Sequence, residues 1–203
     1  MDKKDIQIYE DRYNKRLEQY GYDAKTLGWG GGKEKQFTRF KALCEIGVND
    51  DDSIIDLGCG FADLYEFLQQ TGWKGKYTGI DINDSLLAVA RNNHPGIHVE
   101  KVDILDSAIL LNADWVVSSG VFNAKLHFTS NIDHIRQMLT SMYAICNKGV
   151  AVDFLSVFVD FRHPDAYHAE PMDIIKISKE LSNSIVLRMD YLLYEYCVYI
   201  KKI

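Results

Sequence analysis

The chain has 203 residues, 47% of them hydrophobic, which is enough for one domain with a substantial core and leaves nothing for a second module. Its net charge of −6 and pI of about 5.5 argue against nucleic acid or another large polyanion as partner, because phosphate binding needs clustered Lys and Arg. Cys44, Cys59, Cys146 and Cys197 are scattered, and neither a signal-like N-terminus nor an apolar run of spanning length is present, so a cytoplasmic protein with reduced thiols and no membrane partner is expected.

Ile6, Tyr9, Tyr13, Leu17 and Tyr20 recur at helical spacing and predict an amphipathic helix over about 4–20, stopped by Gly21. Gly28-Trp29-Gly30-Gly31-Gly32 follows, and then a helix over about 33–45 with Phe37, Phe40 and Leu43 on its apolar face. Two readings stay open for the glycine cluster. It is a linker between helices, or it is a lid that swings Trp29 over a bound ligand while Gln36 or Arg39 reaches a carboxylate on it.

Ser53-Ile-Ile-Asp-Leu-Gly-Cys-Gly-Phe-Ala-Asp63 describes a buried strand that turns sharply into a helix. Gly58 and Gly60 let the backbone take positive φ and let a ligand approach main-chain N–H groups. A second short strand, Lys76–Asp81, ends in a carboxylate 21 residues after Gly60, the spacing at which a βαβ unit sets an acid against ribose hydroxyls. A dinucleotide fingerprint would place Gly or Ala at position 63, where this chain has Asp63, and no Gly-Lys-Ser/Thr sequence is available to hold a triphosphate. A nucleoside without phosphate is left, and a cationic one suits the carboxylates best. S-adenosylmethionine meets both conditions.

These residues resemble the class I S-adenosylmethionine-dependent methyltransferases. Asp56-Leu-Gly58-Cys59-Gly60-Phe-Ala62-Asp63 is similar to the family's first motif, with Ala62 in place of its third glycine, and Gly79-Ile-Asp81-Ile82 is similar to its second. Val102-Asp103-Ile104 resembles the end of the third strand, where the resemblance implies that the acid meets the adenine amino group. Asp114–Gly120 resembles the fourth strand and the loop entering the active site, which adds Ser119 and Gly120 to the expected cofactor contacts.

Strands are expected at about 53–57, 76–81, 97–101, 113–118 and 149–155, with helices near 62–70, 84–93 and 130–146 between them, an alternation that specifies a parallel sheet. A helix over 171–181 begins at Pro171, and the runs Ser184–Met189 and Tyr194–Ile200 read as a closing hairpin. The resemblance implies a single α/β domain, a Rossmann-like doubly wound sheet of seven strands in the order 3-2-1-4-5-7-6 with the last strand antiparallel. Residues 1–46 would form an N-terminal helical cap or lid, and 47–203 the cofactor-binding core.

Methyl transfer from the sulfonium is an in-line displacement, so the protein must align a nucleophile and exclude water, and a hydroxyl acceptor also needs a base. Two loops are rich enough to supply one. Ser119–His127 offers His127, and the segment 156–171 offers His163, together with Asp160, Arg162, Tyr167 and His168. Phe122, Phe154, Phe158, Phe161 and Tyr167 are candidates to wall an acceptor pocket, and Asp160 and Asp165 read as solvated residues, with no metal expected. Neither an Asp/Asn-Pro-Pro-Tyr/Phe sequence nor a Pro-Cys pair follows the fourth strand, which points to a small-molecule acceptor with O- and N-methylation both open. A monomer or weak homodimer is expected. Two rivals remain: a nicotinamide-dependent oxidoreductase built on the same Gly-x-Gly, and a cofactor-binding subunit without catalysis of its own.

Overall fold

The computed structural model describes residues 1–106 and 110–203. Seven strands form one sheet in the order β3-β2-β1-β4-β5-β7-β6. They are β1 (Ile54–Leu57), β2 (Tyr77–Asp81), β3 (Val99–Lys101), β4 (Ala113–Ser118), β5 (Cys146–Leu155), β6 (Ser184–Arg188) and β7 (Glu195–Lys201). The first five are mutually parallel, and β7 runs antiparallel between β5 and β6. The expected sheet is therefore the observed one.

Among the described residues six α-helices accompany the sheet: α1 (Lys3–Tyr20), α2 (Gly32–Cys44), α3 (Asp63–Gln70), α4 (Asp84–Asn93), α5 (Asn131–Ile145) and α6 (Pro171–Leu181). Their ends follow local chemistry. Asp2 caps α1 through Lys4 N–H, Asn83 caps α4 through Ser85 and Leu86 N–H, and Gly21 ends α1 with φ 62°. Two boundaries differ from the sequence expectation. β3 starts at Val99 because Ile97 N–H is drawn into a turn on His94, and β5 starts at Cys146, directly after α5, because Cys146 pairs with Ala113 at the start of β4.

The central strands β1, β2, β4, β5 and β7 are buried on both faces along most of their length, and their side chains divide with a period of two. Ile55, Val116, Val150 and Val152 point to one side, where Ile135, Leu139 and Met142 of α5 and Ile174 and Ile177 of α6 cover them. Ile54, Trp115, Val117 and Ala151 point to the other, against Phe40 and Leu43 of α2, Leu64 and Leu68 of α3 and Leu87 of α4. Strand order reverses between β1 and β4, so the crevice at their C-terminal ends is where such a sheet takes a ligand.

The opposite edge of the sheet is tied by one acid. Buried Asp52 accepts from Trp115 Nε1 at 2.7 Å and from Asn49 N at 2.9 Å, and it pairs with Lys148. Burial pushes its carboxyl upward, but Lys148, Asn49 N–H and Trp115 outweigh it and leave a value of about 2. A carboxylate depressed in the fold adds stability above its unfolded value and loses it as pH falls towards the folded one. Asp52→Asn should therefore cost about 2 kcal/mol at pH 7 by urea denaturation, and the gap to the wild type should narrow as pH falls from about 5 to 3.

Candidate functional site

After Leu57 the chain turns through Gly58, Gly60 and Ala62, with φ of 71°, 54° and 61°, and enters α3. A Cβ on Gly58 would run into Val121, so the residue there must be glycine on two counts. The turn is fastened to β2. Gly58 and Cys59 N–H donate to Ile80 O at 2.7 and 3.1 Å, and Gly60 N–H donates to Asp81 Oδ2 at 3.0 Å. Asp81 Oδ1 accepts from Asn83 N at 2.9 Å, so this one buried carboxylate joins the glycine turn to the start of α4. Burial raises its pKa, opposed by the backbone donors.

Two cavities meet at Gly58 and Asp81. The first lies over the ends of β1, β2 and β3, walled by Ile82, Asp103 and Ile104 and closed by Phe122, His134 and Met138. The second runs from Asp56, Cys59, Gly60, Ser119 and Gly120 to Trp29. Eleven of the twelve expected cofactor residues line one or the other; the exception is Arg39. Tyr9 and Tyr13 of α1, tilted at 48° with centroids 4.5 Å apart, line the second cavity together with Leu27.

The charged side chains lining the two cavities are acidic. Asp56 is buried and accepts from Tyr77 Oη at 2.6 Å; burial carries its carboxyl to about 7 against that hydrogen bond. Asp153, at the end of β5, accepts from Ser119 Oγ at 2.5 Å and Gly120 N at 2.7 Å, and burial followed by the charge of Glu195 lifts it to about 6. Gln36 Nε2 donates to Asp63 at 3.0 Å, and its buried Oε1 has no partner among the described residues.

Arg39 departs from the expected role. Its Nε and Nη2 form a bidentate pair with Glu195 of β7, Nε at 2.6 Å, and the guanidinium lies 4.4 Å from the Trp29 ring. It faces a third cavity on the far side of Trp29 instead of the glycine turn. His127 is exposed and lines none of the cavities; its backbone N–H donates to Asp5 at 2.8 Å, which ties the β4–α5 loop to α1. His163 does line the third cavity, with Nδ1 accepting from Asp165 N at 3.2 Å. Asn123 is used structurally, its Oδ1 accepting from Leu155 N–H, while Phe158 and Phe161 are 62% and 73% exposed and so build no enclosed pocket.

Asp153 and His134 were not singled out by sequence. Asp153 sits within a hydrophobic run whose only hint is an acid two residues before a strand end. His134 follows the Ser130 cap of α5 like any polar first-turn residue, yet it is buried, and burial lowers it to about 4, so the ring is neutral. No helix of the described residues is long and apolar enough to cross a membrane.

Residues 48–157 match the family described as methyltransferase domain. A protein of Mycobacterium tuberculosis (strain ATCC 25618 / H37Rv) assigned as a methyltransferase is 32% identical over 162 residues, which are 77% of this chain and 97% of the relative. Among solved structures, magnesium protoporphyrin IX methyltransferase from Synechocystis PCC 6803 with bound S-adenosylhomocysteine superposes with a TM-score of 0.71 at 17% identity, covering 97% of this chain and 99% of that one. An amino pentose methyltransferase from Micromonospora echinaspora involved in calicheamicin biosynthesis, with S-adenosylmethionine bound, gives 0.62 at 13%, over 95% and 96%. At such identities the likeness is one of fold.

Gly120, with φ 76°, has the Trp29 ring where a Cβ would stand. Gly120→Ala should lose about 1–2 kcal/mol of stability by urea denaturation through left-handed strain, and should shift tryptophan emission to the red as Trp29 is pushed outward. Trp73 and Trp115 are buried elsewhere and report no such change.

Proposed function

Because the chain belongs to the class I S-adenosylmethionine-dependent methyltransferases, we propose that it moves a methyl group from S-adenosylmethionine to an oxygen or nitrogen of a small-molecule acceptor. The observation that carries this reading is the pair of joined cavities, acidic and free of lysine and arginine, with a third cavity behind Trp29. An acidic lining suits a ligand with a sulfonium and an ammonium and disfavours a pyrophosphate, which weighs against the nicotinamide alternative. The orphaned Oε1 of buried Gln36 calls for a donor such as an ammonium.

In this reading Asp81 binds the ribose diol, Asp103 and Ile104 border the adenine, and Gly58–Gly60, Asp56, Ser119 and Gly120 surround the methionyl part. The bound cofactor supplies an activated methyl and its own leaving group. The protein's work is alignment and exclusion of water. Tyr9, Tyr13 and Trp29 form the outer wall, the role expected of a cap over residues 1–46, and Trp29 divides the cofactor space from the acceptor space. His163 is the candidate base on the acceptor side. With Nδ1 accepting from Asp165, Nε2 carries the proton, so the ring must release that hydrogen bond before Nδ1 can take a proton from a hydroxyl. Four free cysteines, three of them buried, fit a reducing compartment such as the cytoplasm.

Calorimetric titration with S-adenosylhomocysteine and, separately, NAD tests the reading directly. Micromolar affinity for the first alone is expected, and Asp81→Ala should weaken it by about 1–3 kcal/mol; unchanged affinity in that variant would sink the ribose assignment. Asp56 gives a second test. A carboxyl at about 7 is half protonated near neutrality, and a cation beside it favours the ionised form. At pH 7 S-adenosylmethionine should therefore release about half a proton more from the wild type than from Asp56→Asn, read from binding enthalpies in buffers of different ionisation heat.

A further inference from the structure

The third cavity, open to solvent and about 440 Å³ in volume, adjoins the cofactor space at Tyr13, Leu27, Trp29 and Gly120. Its charge is opposite to that of its neighbours. Arg12 and Arg16 of α1 and Arg39 of α2 all face it, with Asp165 as the acid on its wall. In a chain with 29 acidic and 23 basic side chains, two guanidiniums without an ion pair, Arg12 and Arg16, beside the Glu195-paired Arg39 and against one carboxylate make a local reversal of sign.

Arg12 and Arg16 are four residues apart on α1 and therefore neighbours on its surface, an arrangement that destabilises a helix by like-charge repulsion unless something offsets it. Among the described residues no carboxylate does; Arg16 has only the face of the Tyr13 ring, 5.8 Å away. Both arginines are partly buried, and among the described residues neither guanidinium forms an ion pair or donates a hydrogen bond. Gly28, φ 84°, makes room for Arg16, whose Nη1 lies 2.9 Å from the place a Cβ would take. Arg39 spends two nitrogens on Glu195, but its buried Nη1 is left without a partner. An unpartnered buried guanidinium nitrogen and two unpaired arginines at one cavity describe a place prepared for an oxyanion. Trp29, Leu27 and Leu155 give the same cavity an apolar wall.

Resting on the methyltransferase reading above, we propose that the methyl acceptor is an organic anion: a carboxylate or phosphate held by Arg12, Arg16 and the free Nη1 of Arg39, with a flat apolar body against Trp29 and Leu155. Such an anchor fixes the acceptor at one end and presents its nucleophile past Trp29 to the sulfonium. The cofactor's own carboxylate is the other possible oxyanion. Arg12 and Arg16 line neither cofactor cavity, and the third cavity is far larger than one carboxylate requires.

The test is a ligand-observed NMR screen of the full chain saturated with S-adenosylhomocysteine, using aryl carboxylates, aryl phosphates and the primary amides of the same acids. Acids or phosphates should bind at least tenfold more tightly than their amides, the better of the two classes naming the oxyanion, and the preference should vanish in Arg12→Gln/Arg16→Gln. The double variant should keep wild-type affinity for S-adenosylhomocysteine, which also shows that it is folded. Equal binding of acids and amides, no binding of any of them, or a preference that survives the double substitution would overturn the proposal. So would a tenfold loss of S-adenosylhomocysteine affinity in the variant with its melting temperature unchanged, because the arginines would then serve the cofactor. Wild-type protein that selects acids but takes no S-adenosylhomocysteine would keep the anion site and remove the methyltransferase reading instead.

Discussion

A carboxylate at the end of a fully buried strand cannot stay ionised without donors, and the way Asp81 obtains them organises the site. Each oxygen takes one backbone N–H, Gly60 on one side and Asn83 on the other. That requirement pulls the glycine turn of β1 against the end of β2, sets the entry angle of α3, and places Asn83 to cap α4. The positive φ values along the turn are conformations demanded by this closure. Remove the acid and two helix starts and one turn lose their common fixed point.

The charges then sort by distance from that point. Asp56, Asp81 and Asp153 stand buried along the C-terminal edge of the sheet, each lifted by desolvation, so the edge carries stored preference for a cation. The compensating cations are kept one layer out. Arg39 is held by Glu195 and Trp29, and Arg12 and Arg16 project from the covering helix. A single indole therefore stands at the border between a space of negative and a space of positive potential. If the acceptor is the anion proposed above, the two substrates carry opposite charge and each is repelled from the other's place.

What the sequence made legible was local. Nearly every element and the spacing of Gly60 and Asp81 could be read because hydrophobic period, caps and a fixed loop length encode them within some twenty residues, whereas the sheet order came from the family resemblance. The departures have one cause, which is pairing across long chain separations. Arg39 is claimed by Glu195, 156 residues away, and no local pattern announces that. His127 looks well placed in its loop, but Asp5, 122 residues earlier, takes its backbone and the imidazole turns to solvent. Asp153 becomes part of the site only because β5 lies beside β4, where Ser119 and Gly120 follow. The two tyrosines of α1 read correctly as an apolar face, but the partner of that face, a cavity and not a core, is not a property of the helix.

Ala62 has a bearing on how such chains are found. Its φ of 61° matches that of the two glycines before it, so the backbone bends the same way at three alternate positions although only two of them lack a side chain. Steric freedom is indispensable at Gly58, where Val121 fills the space, whereas at Ala62 a methyl is accommodated in the packed layer beneath. What inheritance must preserve is a sequence of backbone hands, and residue identity follows only where a neighbour forbids a Cβ. A signature written as three obligatory glycines would pass over this chain; one written as three left-handed residues would retrieve it.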